Sequence, residues 1–399
     1  MNDFQALSFR LHALSVFRFL LNDPVLKRFL RYLDAGEISE VDRIDTYADF
    51  TAELYRQGGN LGDYLYRTVM ESENPAVQSK GRQQELPSGM LRALQQELET
   101  LTAVSSLSCR ELAPGSAEFL PAWENTPHDF QADYLRRLEE LPARGYGIFA
   151  GHSMFTLLND GTLRPVRNPD PRRFSDLTGY ENERRQVMAN TQALLQGLPA
   201  NNILLYGDAG TGKSCTVKAA VNECCGNGLR LVEVRKNQLA LIPELMERLG
   251  ENPLKFILFI DDLSFSSGDE QFTDLKAILE GTVSARPDNL VVYATSNRRH
   301  MVRQTFSERQ GDDVHLGDTL EESASLAARF GLTITFLRPD KKLYALIVEE
   351  LADKAKLRLS GEALLRAAEV HASRQGGRSP RTARQFVEWQ KAREITGLQ

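Results

Sequence analysis

The sequence predicts an α/β protein whose centre is a parallel, doubly wound sheet, with helical segments on either side of it. Three observations lead there. Short apolar runs alternate with helical stretches between about residues 203 and 336, a glycine-rich loop links the first of those runs to a helix, and the chain outside this region carries apolar residues at helical spacing. The chain has 399 residues, of which 42% are hydrophobic and 26% charged. That suffices for two or three ordinary domains and excludes a collagen-like, low-complexity or mostly disordered chain.

The first element is helical. Residues 3–34 place Phe4, Leu7, Leu11, Leu14, Phe17, Leu20, Val25, Phe29 and Leu33 at helical spacing, and similar patterns cover 46–57, 61–71, 90–107 and 129–141. Gly58-Gly59, Asn74-Pro75 and Pro87-Ser88-Gly89 punctuate them. Residues 1–145 hold 15 Lys and Arg against 22 Asp and Glu, whereas the rest of the chain is nearly balanced at 33 against 32. No chemical motif lies here. An acidic helical region fits a scaffold or a protein-binding module better than a grip on phosphates. With a net charge of −6, a basic nucleic-acid coat is not indicated, although a local basic groove is compatible with it.

Next comes a hairpin signal. Asp160-Gly161 stands between MFTLL and TLRPV, and Asp-Gly suits the positive dihedral angles of a tight turn. RNPDPRRFSDLTGY, rich in proline and charge, reads as an extended linker, and a helix is expected from Glu181 to about Gln196. The expected strands are ILLY (203–206), LRLVEV (229–234), FILFID (256–261), LVVYATS (290–296) and LTITF (332–336). Helices are expected after the first three, from Lys213, near 238–249 and near 270–285. From Pro339 the pattern turns helical again over 340–356, 361–374 and 380–395.

Gly207-Asp208-Ala209-Gly210-Thr211-Gly212-Lys213-Ser214 matches G-x-x-x-x-G-K-[ST] between a strand and a helix, with Cys215 directly behind it. Glycines let backbone wrap closely round phosphate oxygens, and a helix N-terminus favours negative charge. Lys213 is expected to reach the β- and γ-phosphates of a nucleotide, and the Ser214 hydroxyl to ligate Mg²⁺. FILFIDDLSF ends a buried strand in Asp261-Asp262. Asp261 is placed to hold Mg²⁺ and Asp262 to orient the attacking water. LVVYATSNRRH ends a third strand at Thr295, Ser296 and Asn297, where Asn297 either touches the γ-phosphate or water, or is an ordinary loop residue. Arg298, Arg299 and His300 follow. They fit an inter-subunit contact, a nucleic-acid contact or a surface basic cluster equally well.

These segments resemble the AAA+ ATPases over roughly residues 174–390. With the helical and hairpin signals before it, the resemblance gives a division into an α-helical domain (1–145), a hairpin and linker (146–173), an AAA+ core with a five-stranded parallel sheet (174–338) and a C-terminal helical lid (339–399). It makes LAARFGLTITF the arginine-finger segment, suggesting Arg329. It makes GGRSPRTARQF the sensor-2 segment, suggesting Arg381 with Arg374, Arg378 and Arg384 as neighbouring alternatives. DLTGYENERRQ resembles the linker beside the adenine, suggesting Leu177, Gly179 and Tyr180. PANNILLYGDAGTGKS, LFIDDLSF, LKAILEG and ATSNRRH together look like a bacterial family known only as domain of unknown function 815.

What the resemblance implies is ATP and Mg²⁺ as ligands, a homo-oligomer, and hydrolysis of ATP to drive or gate remodelling of a macromolecular partner, with the acidic N-terminal domain as the expected surface for a protein partner. The other functional classes are a nucleic-acid-associated ATPase, similar to replication initiators or helicase loaders, and a slow nucleotide-gated switch. Asp261-Asp262 stands where most of the family has Asp-Glu. The shorter side chain implies slow hydrolysis and favours these two classes, since initiators and loaders share Asp-Asp. Four cysteines without a C-x-x-C pair fit a reducing cytoplasm and no zinc site. Neither a signal peptide nor a membrane span is expected.

Overall fold

The computed structural model describes residues 3–35, 39–114, 119–266, 270–280, 286–297, 302–303 and 328–396. The chain divides into two compact units, Met1–Gly151 and His152–Gln399.

The first unit is helical, with α1 (Asp3–His12), α2 (Pro24–Leu33), α3 (Glu40–Arg56), α4 (Leu61–Glu71), α5 (Pro75–Gly81), α6 (Ser88–Ser105) and α7 (Phe130–Glu139), apart from shorter turns. The apolar spacing over 3–34 does not give one helix. Asp23 stops the chain in an extended conformation and its side chain accepts from the backbone of Val25 and Leu26, both at 3.0 Å, so that α2 starts afresh at Pro24. Between α1 and α2 the buried Glu97 carboxylate accepts from the backbone N–H groups of Ser15 (2.7 Å), Val16 (3.0 Å) and Phe17 (2.9 Å). A carboxylate so bonded answers backbone donors that would otherwise be buried unpaired. Phe17, Phe29, Phe50, Leu98, Phe130 and Tyr134 fill the core of this unit.

Apart from a short parallel pair, Phe265–Ser266 with Val302–Arg303, the second unit is built on one sheet among the described residues. Its strands are β1 (Met154–Leu157), β2 (Leu163–Pro165), β3 (Ile203–Gly207), β4 (Leu229–Glu233), β5 (Lys255–Ile260), β6 (Leu290–Ser296) and β7 (Leu332–Phe336), in the spatial order β2-β1-β4-β5-β6-β3-β7. The five strands from β3 to β7 run parallel, as the α/β reading expects. β5 and β6 are apolar and buried along nearly their whole length because both faces of the sheet are covered. The hairpin does more than connect. β1 pairs in parallel with β4 from Met154↔Leu231 to Thr156↔Glu233, while β2 closes antiparallel on β1, extending the sheet from five strands to seven. Asn222 Nδ2 then holds the linker by the carbonyls of Asp170 and Arg172, both at 2.7 Å.

Around the sheet lie α8 (Glu181–Leu195), α9 (Lys213–Cys224), α10 (Ile242–Gly250) and α11 (Glu270–Glu280). The helix expected near 238–249 begins as a 3₁₀ segment, Lys236–Leu241, and becomes α10 only at Ile242. The C-terminal helices are α12 (Lys341–Ala355), α13 (Gly361–Arg374) and α14 (Pro380–Thr396), packed round Tyr344, Ile347, Leu364, Ala368 and Phe386. The class is therefore α/β, a parallel core followed by a C-terminal group of three helices, with an additional helical N-terminal unit. No helix among the described residues is long and apolar enough to cross a membrane.

Candidate functional site

The glycine-rich loop leaves β3 at Gly207, whose φ of 133° and crowding exclude a side chain: a Cβ there would lie 2.1 Å from the Phe336 carbonyl oxygen of β7. Asp208 reinforces that neighbour, its Oδ2 accepting from the Arg338 N–H at 2.9 Å. Gly210 and Gly212 also have positive φ, 79° and 97°, and a Cβ on Gly212 would meet open space. α9 starts directly after it, so the first amides of that helix, which have no partner within it, lie next to this loop.

Lys213 is buried at the head of α9. Its Nζ donates to the carbonyls of Gly207 at 3.1 Å and Asp208 at 2.7 Å. Burial lowers its pKa to about 8, against the opposing pull of Asp208, Asp261 and Asp262. One residue on, the Ser214 hydroxyl donates to Asp261 Oδ1 at 2.6 Å. Asp261 and Asp262 stand just past the end of β5, and Thr295 and Asn297 at the end of the adjacent β6. Asn297 Nδ2 donates to Asp262 Oδ1 at 2.6 Å. Asp262 has a φ of 54°, unusual for a residue with a side chain, which marks the tip of β5 as a constrained position.

These residues line a single cleft of about 550 Å³. Gly210, Thr211, Gly212, Lys213, Ser214 and Cys215 come from the loop and α9, and Asp261, Asp262 and Asn297 from the strand tips. Leu177 lines it from the linker, with Ile347 and Leu351 of α12, giving that end an apolar character. Arg381 and Arg384 reach it from α14. The neighbouring Arg378 instead pairs with Glu369, its Nε 2.9 Å from Oε1, and does not belong to the lining among the described residues.

Other expected residues lie elsewhere. Gly207, Asp208 and Ala209 form the base of the loop, outside the lining. Gly179, at φ 73°, lies against α12, where a Cβ would come 3.0 Å from Leu343 Cδ1. Tyr180 is buried, with its ring on Phe336 (5.3 Å between centroids) and its hydroxyl donating to the Leu337 carbonyl at 2.6 Å. Burial also raises its pKa. Arg329 sits at the end of a helical segment just before β7, outside this cleft's lining. Arg298, Arg299 and His300 lie outside the described residues.

Several lining residues carry no signal in the sequence. Arg184 is half-buried in α8 and its Nη1 donates to the Leu177 carbonyl at 2.6 Å, fixing the linker that lines the cleft. Its charge is disfavoured by burial. Thr178 donates its hydroxyl to Glu350 Oε2 at 2.8 Å and Lys354 Nζ donates to the Ser175 carbonyl at 2.7 Å, so α12 grips the linker twice. Thr295 lies two residues before Asn297, in a segment that the motif does mark out.

A family model described as "Protein of unknown function (DUF815)" matches residues 152–394. Among curated proteins, the 26S proteasome regulatory subunit 6B homolog of Schizosaccharomyces pombe is 30% identical over 115 residues, which cover 25% of this chain and 29% of that protein. The chain thus spans less than a third of the length of this relative. Among solved structures, the RuvB Holliday junction branch migration motor of Thermotoga maritima is 17% identical, at a TM-score of 0.38, over 57% of this chain and 67% of its own. The FIGL-1 AAA domain in complex with ADP is 17% identical, at a TM-score of 0.39, over 58% and 76% respectively.

Proposed function

Since the chain belongs to the family described as protein of unknown function DUF815, which brings no activity with it, we propose from the site itself that it is an ATPase that binds ATP with Mg²⁺ and uses hydrolysis to drive or gate remodelling of a macromolecular partner. One observation carries this reading: Lys213, Ser214, Asp261, Asp262 and Asn297, from three separate segments, meet in a cleft with an apolar end. A cation, hard oxygen donors and paired carboxylates beside a helix N-terminus suit a triphosphate and its metal.

The residues present fit Mg²⁺. Ser214 Oγ and Asp261 Oδ1 are hard oxygens 2.6 Å apart, and Mg²⁺ in phosphate sites takes one or two protein oxygens and completes its shell with phosphate and water. When bound, the ion neutralises charge on the phosphate oxygens. Lys213 leaves the carbonyls of its own loop for the phosphates, and its burial strengthens that attraction. Asp262, steadied by Asn297, orients water for attack on the γ-phosphate. Leu177, Ile347 and Leu351 take the base. Arg381 stabilises charge that develops during transfer and couples it to the lid.

Arg329 serves a neighbouring protomer's cleft, a role supported by its position outside the lining of its own. A residue acting in trans requires a head-to-tail ring or filament. The acidic first unit is the surface for a protein partner, and the cytoplasm is the compartment. ATPase activity of the purified full chain, compared with Lys213→Ala, Asp262→Asn and Arg329→Ala over a range of protein concentrations, tests this function. Loss of activity in all three supports it, and an Arg329→Ala protein as active as wild type at every concentration removes the action in trans.

A further inference from the structure

The acid pair at the tip of β5 has a shared anchor. The Thr295 side chain, only 2% exposed, reaches from the adjacent β6 with its hydroxyl between the two acids. Thr295 Oγ1 donates to Asp261 Oδ1 at 2.5 Å and accepts from the Asp262 backbone N–H at 2.9 Å. The Thr295 carbonyl accepts from the Leu263 N–H at 2.7 Å, so one residue holds three consecutive positions. The directions are fixed by chemistry: a carboxylate can only accept and an amide N–H can only donate, so a group here must do one of each. A hydroxyl meets that requirement, whereas a methyl of the same size meets neither half of it.

We propose that Thr295 is the positioning residue of this site: its hydroxyl sets Asp261 for the metal and holds Asp262 in its left-handed conformation for water. Two hydroxyls converge on Asp261 Oδ1, those of Ser214 and Thr295. Ser214 is the one that a metal would recruit, and Thr295 is the anchor that stays. Asp262 at φ 54° needs outside support, and its N–H is tied to the Thr295 hydroxyl. Thr295 touches neither phosphate nor water in this scheme and acts through the two acids. The inference rests on the ATPase reading above and deepens it.

The test compares wild type, Thr295→Val and Thr295→Ser in the full chain. Two quantities are measured: affinity for a fluorescent ADP in EDTA and across a Mg²⁺ titration, and ATPase kcat and KM at saturating Mg²⁺. Thr295→Val is expected to bind the nucleotide in EDTA as wild type does. Its Mg²⁺ midpoint should rise about tenfold and its kcat fall at least about tenfold, as expected for loss of a hydrogen bond to a charged group. Thr295→Ser should restore both to within about threefold. A wild-type Mg²⁺ midpoint and kcat in Thr295→Val overturn the proposal. So does a Thr295→Val protein weakened equally in EDTA, because that marks a general structural role. If wild type itself neither binds the nucleotide nor hydrolyses ATP, the ATPase reading has failed instead, whatever the variants do.

Discussion

The backbone N–H of Arg381 donates to the Gly210 carbonyl at 3.2 Å, so the first turn of the last helix, α14, touches the glycine-rich loop itself. Ser379 closes the same contact, since a Cβ on Gly210 would come 3.0 Å from its Oγ. The last helix and the glycine-rich loop therefore meet at the wall of the cleft, which both of them line.

This contact separates the arginines of the lid. Arg381 lines the cleft, whereas Arg378 is occupied by Glu369. Arg381→Ala is expected to lower kcat at least about tenfold. Arg378→Ala should leave kcat within about twofold and cost the lid no more than about 1 kcal/mol, the usual scale of a partly exposed ion pair. Steady-state ATPase assays and thermal melting of both variants decide the matter. The reverse ranking would move the role to Arg378.

Lys213 gives a pH dependence with a definite sign. Its pKa in the folded chain, about 8, lies below the usual lysine value of about 10.5 because burial disfavours the charge. Between those values the unfolded chain holds more protons, so the stability of the nucleotide-free protein should rise with pH across that window. Phosphate oxygens favour the charged lysine, so binding above pH 8 must take up a proton, and affinity should fall with rising pH there. Calorimetry at pH 7 and pH 9 in buffers of different ionisation enthalpy measures both affinity and proton uptake. Equal affinity with no uptake would show that Lys213 does not meet the phosphates.

Two glycines of the loop should differ in how they fail. Gly207→Ala drives a Cβ into the Phe336 carbonyl and is expected to cost about 3 kcal/mol or more, seen as a lower Tm. Gly212→Ala has open space around its Cβ and only its φ of 97° to object. Its cost should be about 1–2 kcal/mol, with loss of nucleotide binding out of proportion to that. Equal melting temperatures for the two variants would contradict the β3–β7 contact.

The linker should matter for affinity more than for chemistry. Glu350→Ala removes the acceptor of the Thr178 hydroxyl and releases one of the two holds of α12 on residues 175–178. Nucleotide affinity should weaken by about fivefold, the scale of one hydrogen bond, with kcat little changed. A fall in kcat without loss of affinity would place the linker in the chemical step.

Much of this site is legible in the sequence because its parts are local. The glycine-rich motif is eight consecutive residues, and Asp261, Asp262 and Asn297 end short apolar runs whose length and β-branched or aromatic content suit strands buried on both faces. What the sequence hides depends on partners far along the chain. Asp160-Gly161 marks β1 and β2 as a hairpin, but nothing local says that β1 pairs with β4, Met154 against Leu231. Apolar spacing over 3–34 is continuous across Asp23-Pro24, where a cap starts a new helix. Tyr180 stands beside Leu177 in the linker, yet its left-handed backbone turns the ring onto Phe336 and away from the cleft. Arg378 and Arg381 are three residues apart, and they are distinguished by distant partners, Glu369 for the first and the Gly210 loop for the second.

The central claim is that the cleft headed by Lys213 holds a nucleoside triphosphate with its metal. Isothermal titration of the purified full chain with ATP in the presence of Mg²⁺, beside the Lys213→Ala protein, tests it most directly. Saturable one-site binding that Lys213→Ala loses is the expected result. A wild-type chain that takes up no triphosphate, even at millimolar ligand, would contradict it.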